Sequence, residues 1–297
     1  MVKGRRYGIM KKQANVLAKV LFMKKDISVL MSAYKNDVPQ NVVTAVESVV
    51  NQTFVPKQIV MVVDGPVPEE LETTLKELQK KYEILELVWL EKNGGLGNAM
   101  NIGTQHCKYD LIARMDSDDI AVPTRFEKQM ECFEKDNSLD VVGSNSAEFV
   151  DTPDNVSGIK VLPEKHEDIV QFMTSRCPLC HPSIMLKKAI LEKAGGYQHW
   201  QYAEDWYLFI RMYLAGAKFY NIQENLMNIR IDEHTYERRS GYAHYKTIKG
   251  LLKLMRKHKM MSWLKYKKEC IKRFVGHVLV PKRWKTKLYR KYMRKSK

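Results

Sequence analysis

The run Arg114-Met115-Asp116-Ser117-Asp118-Asp119 places three carboxylates within four residues, directly after the largely apolar stretch Tyr109 to Ala113. If that stretch is a buried strand, the acids stand at its carboxyl end, where open α/β sheets carry their chemistry. Clustered carboxylates repel one another and resist ionising together. A hard divalent cation carrying a diphosphate is the simplest compensator, since such ions are held by one or two carboxylates plus substrate phosphates. An Asp-rich turn with a purely structural role is the competing reading, because Asp is a common turn residue.

Four further features could join that chemistry. Tyr34 and Asp64 end two other predicted strands and so open onto the same sheet edge, where a ring can stack on a nucleobase and a carboxylate can accept an N–H. The alternative for this pair is a helix-capping Asp beside an ordinary surface Tyr. Glu204-Asp205 opens an apolar helix. It is either a favourable acidic first turn or a general base partly desolvated beside Trp206. His181 is either a packed histidine or a ligand contact. Asn93-Gly94-Gly95-Leu96-Gly97 lets backbone approach an anion at a helix start, but it lacks the Lys-Ser/Thr of a P-loop and the dinucleotide spacing.

The elements that must position these residues follow from periodicity. Strands are predicted at Ile27 to Ala33, Gln58 to Val63, Ile84 to Leu90 and Tyr109 to Met115, with another at Leu139 to Ser144. Helices are predicted from Pro39 to about Asn51, from Pro68, from the glycine turn to about Cys107, and from Pro123. This alternation implies a mainly parallel sheet flanked by helices. The second half is less regular, with helical stretches at His166 to Arg176, Lys187 to Ala194 and Glu204 to Leu214.

Composition bounds the class. The chain has 297 residues, 44% of them hydrophobic, enough for a real core. No window is apolar enough to predict a transmembrane helix. Five scattered cysteines do not suggest a disulfide framework, and Cys177/Cys180 lack a second pair at zinc-finger spacing. A reducing cytosol fits. Residues 241–297 hold twenty Lys/Arg and a single acid, Glu269, so this segment carries more than the whole net charge of +16. Three parts are expected: a basic amphipathic extension (1–25), an α/β body (26–240) and a basic, aromatic-rich helical tail (241–297). Trp263, Tyr266, Phe274 and Trp284 are interleaved with cations in the tail, and Leu251, Leu254 and Met255 mark a helix face. Such a segment is expected at an anionic membrane surface. A soluble helical tail is the alternative, and no nucleic-acid motif accompanies the charge.

Taken together and in order, Ile27-Ser28-Val29-Leu30-Met31-Ser32-Ala33-Tyr34, Asp116-Ser117-Asp118-Asp119 with Pro123 and Arg125, His181-Pro182-Ser183 and Glu204-Asp205 resemble the landmarks of family 2 glycosyltransferases, inverting enzymes of the GT-A fold. The resemblance spans about residues 26 to 230, and the subgroup it suggests builds bacterial capsule, exopolysaccharide or O-antigen units. It implies that Ala33, Tyr34 and Asp64 hold the base of a nucleotide sugar, with uridine diphosphate as carrier. Asp116 would meet the ribose or the metal, Asp118 would ligate Mn²⁺ or Mg²⁺, and Arg114 would offset the carboxylates. Asp205 would be the base, and His181 and Glu204 acceptor or phosphate contacts. The acceptor would be a lipid-linked saccharide at the cytoplasmic face of the plasma membrane.

Two departures stand out. Asp64-Gly65-Pro66 replaces the paired acids and serine often found after the second strand, and the Gln/Arg-x-x-Arg-Trp signature of processive synthases is missing, so transfer of one sugar is expected. Two other readings compete. A nucleotidyltransferase would want a Gly-rich basic loop where Ala33-Tyr34-Lys35-Asn36-Asp37 stands. A catalytically degenerate scaffold would bind a membrane or partner without turnover.

Overall fold

The computed structural model describes residues 26–232 and 241–280, so the expected extension 1–25 and Trp284 lie outside the described residues. The first half alternates as periodicity predicts: β1 (Ile27–Ala33), α1 (Pro39–Val50), β2 (Gln58–Val63), α2 (Glu69–Lys81), β3 (Leu85–Trp89), α3 (Leu96–His106) and β4 (Leu111–Arg114). Then come β5 (Ile120–Ala121), α4 (Arg125–Lys135), β6 (Val141–Phe149), β7 (Val156–Lys160) and α5 (His166–Met173). A 3-10 turn (His181–Ser183) leads into β8 (Met185–Lys187), α6 (Lys188–Lys193), α7 (Glu204–Leu214) and β9 (Phe219–Arg230). Two further helices, α8 (Tyr242–Lys257) and α9 (Trp263–Phe274), precede a π turn (Val275–Leu279).

The described strands form one nine-stranded sheet in the order β3-β2-β1-β4-β8-β6-β9-β5, with β7 beside β6. Strands β3, β2, β1 and β4 are parallel, and so are β6 and β9. Short β8 runs antiparallel to both β4 and β6 and joins the two blocks. β4 therefore lies well inside the sheet, and its exit is the natural place for a site.

Strand alternation divides the core into two faces. Val29, Met31 and Ala33 of β1, with Ile59, Met61 and Val63 of β2, pack with α1 and α2 on one side. Leu30, Val60, Val62 and Ile112 point to the other side, into a cluster with α3 and α7. α3 lies close on the sheet because Gly103 has no Cβ; one built there would stand 2.4 Å from Leu30 Cδ1.

The tail differs from expectation. Leu251, Leu252 and Met255 of α8 are fully buried and belong to the α3/α7 cluster, and Leu254 is partly buried against it. The face read from sequence as lipid-facing thus covers the body. The physical reason is that α7 alone leaves apolar surface on that side, which α8 removes from water at about 1.5–3 kcal/mol per large side chain. Trp200 fixes the contact by donating to Thr247 O at 3.3 Å.

Candidate active site

Buried β4 ends in the acid run, and its last residue is the most constrained. Arg114 is 2% exposed and ion-paired with Asp116, which holds the guanidinium charged against its burial. Its Nε and Nη1 are buried and lack hydrogen-bond partners. The backbone is held as firmly: Arg114 N donates to Ile184 O at 2.9 Å, and Arg125 Nη2 donates to Arg114 O at 2.7 Å. Arg125 is itself buried, and burial pushes its guanidinium down to about 9.

Asp116, Asp118 and Asp119 bring carboxylate oxygens within 4.8 Å of one another. Burial and the neighbouring Asp116 and Asp37 charges push Asp118 up to about 6. Burial and the same cluster hold Asp119 well above the usual carboxylate range, and its Oδ2 is buried without a partner while Oδ1 accepts from Arg230 N at 2.9 Å. Three clustered carboxylates, one of them buried with an orphaned oxygen, fit a divalent cation. Sequence reasoning missed Asp37. Its Oδ2 accepts from Tyr34 N at 3.2 Å and Ser117 Oγ at 2.6 Å, tying the exit of β1 to the acid run. Burial raises its carboxyl as well.

On the neighbouring strand ends, Ala33 is buried and Tyr34 is exposed at the rim. Asp64 is 5% exposed, and its two carboxylate oxygens accept from Gly94 N and Gly95 N at 2.8 and 2.9 Å. It thereby holds the glycine turn that starts α3, a role its sequence position did not reveal.

Arg114, Asp116, His181, Glu204 and Asp205 all line one pocket of about 280 Å³. α7 supplies the last two from its first turn. Asp205 Oδ1 accepts from Trp206 N at 2.7 Å, and Oδ2 accepts from the Cys177 thiol at 3.3 Å. His181 sits in the 3-10 turn before β8, buried, with Nε2 3.2 Å from Tyr197 Oη. Burial and the Arg114 charge hold it well below the usual imidazole range, so it is neutral. Ala33, Tyr34 and Asp64 stand outside this pocket, at the adjoining strand ends.

Lys160, Ser146, Glu148 and Tyr197 also line the pocket, and sequence reasoning missed them. The first three come from β6 and β7, one of which was not predicted. Tyr197 follows Gly195-Gly196, both at positive φ, and its backbone is gripped by Asn101. That double glycine was the available clue.

The profile of "Glycosyl transferase family 2" matches residues 28–195. An uncharacterized glycosyltransferase of Haemophilus influenzae is 35% identical over 90% of this chain and 99% of its own. The amylovoran biosynthesis glycosyltransferase AmsE of Erwinia amylovora is 35% identical over 76% of this chain and 84% of its own. The UDP-Gal:alpha-D-GlcNAc-diphosphoundecaprenol beta-1,3-galactosyltransferase of Escherichia coli is 33% identical over 72% and 77%. In fold, the chain resembles S. aureus TarS 1-349 in complex with UDP-GlcNAc, with a TM-score of 0.63 at 15% identity over 85% of this chain and 73% of that one. It spans 44% of a longer TarS chain. This chain is a glycosyltransferase, a member of glycosyl transferase family 2 with relatives in bacterial polysaccharide biosynthesis.

Proposed function

We propose that this enzyme transfers one sugar, with inversion, from a uridine-diphosphate sugar to a hydroxyl of a lipid-linked saccharide during synthesis of a bacterial surface polysaccharide. The observation that carries the reading is that Asp205 and Asp116 line the same pocket, with Asp118 and Asp119 clustered beside Asp116. Asp116 and Asp118 would hold a Mn²⁺ or Mg²⁺ ion, with Asp119 within reach. When bound, that ion supplies positive charge for the departing diphosphate. Tyr34 and Ala33 flank the base of the donor, and Asp64 shapes that end by holding the Gly94-Gly95 turn. Arg114 fixes the orientation of Asp116.

The protein's own chemistry is proton removal. Asp205 accepts the proton of the acceptor hydroxyl as that oxygen bonds to the anomeric carbon, while the bond to the diphosphate breaks on the opposite face. One base suffices, because the leaving group departs as an anion. Neutral His181, with Tyr197, and Glu204 contact the acceptor. The E. coli relative's name specifies a diphosphoundecaprenol-linked saccharide as acceptor, and the basic segment 241–297 would hold this enzyme to the inner face of the membrane where such acceptors reside.

Thermal shift and donor hydrolysis with a panel of nucleotide sugars, with and without Mn²⁺, test the donor half. Metal-dependent stabilisation by one nucleotide is expected. A folded protein that responds to none would overturn the reading in favour of a degenerate scaffold.

A further inference from the structure

We propose that the outer face of α9 is the surface by which this protein lies on an anionic phospholipid bilayer. This deepens the membrane association stated above and rests on it. α9 has two distinct faces. On the inner one, Glu269 and Cys270 are buried. Glu269 Oε1 accepts from Ser175 Oγ at 3.1 Å, and Arg273 donates to Ser175 O and lies 5.7 Å from the Trp206 ring. That face is committed to the body.

The outer face is apolar. Leu264 is 73% exposed and Ile271 65%, with Trp263 and, in the following π turn, Val275 and Leu279 also exposed. Leu264, Ile271 and Val275 stand at i, i+7 and i+11, within about 40° of one another around the helix. Lys267 and Lys268 are interleaved, and Lys267 Nζ lies 5.3 Å from the Trp263 ring. Single exposed apolar residues are ordinary, but several aligned on one helix face, with cations among them, mark an interaction surface.

Charge identifies the occupant. The one acid of the segment, Glu269, is turned inward, so the outer face offers only cations beside the stripe. A second copy would set two cationic strips against each other. A convex helix with aliphatic side chains, a tryptophan and flanking lysines matches an interfacial helix on an anionic leaflet. The placement also suits an acceptor delivered from lipid. α9 grips Ser175, two residues before Cys177, and Trp206, next to Asp205, so the helix is fastened to both segments that meet at the proposed base.

The test uses the full chain, because deleting residues 241–297 would strip α8 from the core. Sedimentation with phosphatidylcholine vesicles, with and without phosphatidylglycerol, compares the unaltered protein with a Trp263→Glu, Leu264→Glu, Ile271→Glu triple variant. Partitioning onto anionic vesicles should fall at least about tenfold in the variant, with unchanged thermal midpoint and nucleotide binding. Lys267→Glu with Lys268→Glu should weaken binding, more at low salt than at high salt. Unchanged partitioning of the triple variant, binding indifferent to phosphatidylglycerol, or no binding by the unaltered protein would overturn the proposal. So would conversion of a dimer to a monomer by the triple variant in sedimentation velocity, which would make the stripe an interface between copies. Failure of nucleotide binding in the unaltered protein would instead sink the transfer reading, and the vesicle result would stand apart from it.

Discussion

The Cys177 thiol donates to Asp205 Oδ2 at 3.3 Å, from the loop between α5 and the 3-10 turn to the first turn of α7. Burial and the facing Asp205 charge hold that thiol well above its ordinary range, so it stays protonated and remains a donor. With Trp206 N on Oδ1, the carboxylate is oriented by two donors, one of them weak. Cys177→Ser keeps a donor at that position, and Cys177→Ala removes it. Cys177→Ala should lower kcat with the KM for the donor unchanged, and Cys177→Ser should recover most of the loss. Equal kcat in all three proteins would exclude Cys177 from positioning Asp205.

Asp205→Asn preserves shape but removes the proton acceptor. Transfer should fall by about 10²–10⁴, with nucleotide-sugar binding by calorimetry unchanged. A rate near that of the unaltered enzyme would take Asp205 out of the mechanism.

Removing divalent metal with a chelator should abolish transfer, and adding Mn²⁺ should restore it. Asp118→Ala should weaken metal-dependent donor binding by at least about tenfold, because it deletes one of three clustered carboxylates. The same Mn²⁺ titration in both proteins would show that Asp118 is no ligand.

His181 gives a stability signature. It is held neutral in the folded protein, while the unfolded chain protonates near its ordinary pKa of about 6.5. Below that pH the unfolded state binds the extra proton, so stability falls as pH falls, by up to about 1.4 kcal/mol per unit. His181→Gln should flatten that slope in denaturant titrations between about pH 6.5 and 5. An equal slope in the variant would mean that other groups set the acid limb.

α8 should behave as core. Leu251→Ala, at a fully buried position, should cost about 2–5 kcal/mol in equilibrium unfolding and leave vesicle binding per folded molecule unchanged. A cost near zero would place this face outside the core.

Legibility in the sequence followed the range of the interactions involved. β1, β2 and β4 are short β-branched or apolar runs bounded by turns, and their ends named Tyr34, Asp64 and Asp116 as rim residues before any coordinates. β8 and β9 were invisible: Met185–Lys187 is too short for a periodic signal, and β9, Phe219–Arg230, carries Asn221, Gln223, Glu224, Asn225 and Asn228. It is a strand because β6 lies beside it and because Asn221 finds partners in Pro163 O and Pro178 O.

What the sequence determined by itself was chemistry and local period: the acid run after an apolar strand, the acidic first turn of α7, and an amphipathic face at α8 in a segment where aromatics and cations interleave. Tertiary structure alone decided what each face meets. An apolar stripe states only that water is to be avoided, and burial against a core or against lipid satisfies it equally. The open side of α7 took α8, and among the described residues the outer side of α9 was left uncovered. The same holds for the site. Cys177 and Asp205 are far apart in the chain, and only the packing of the loop before the 3-10 turn against α7 makes one the hydrogen-bond partner of the other.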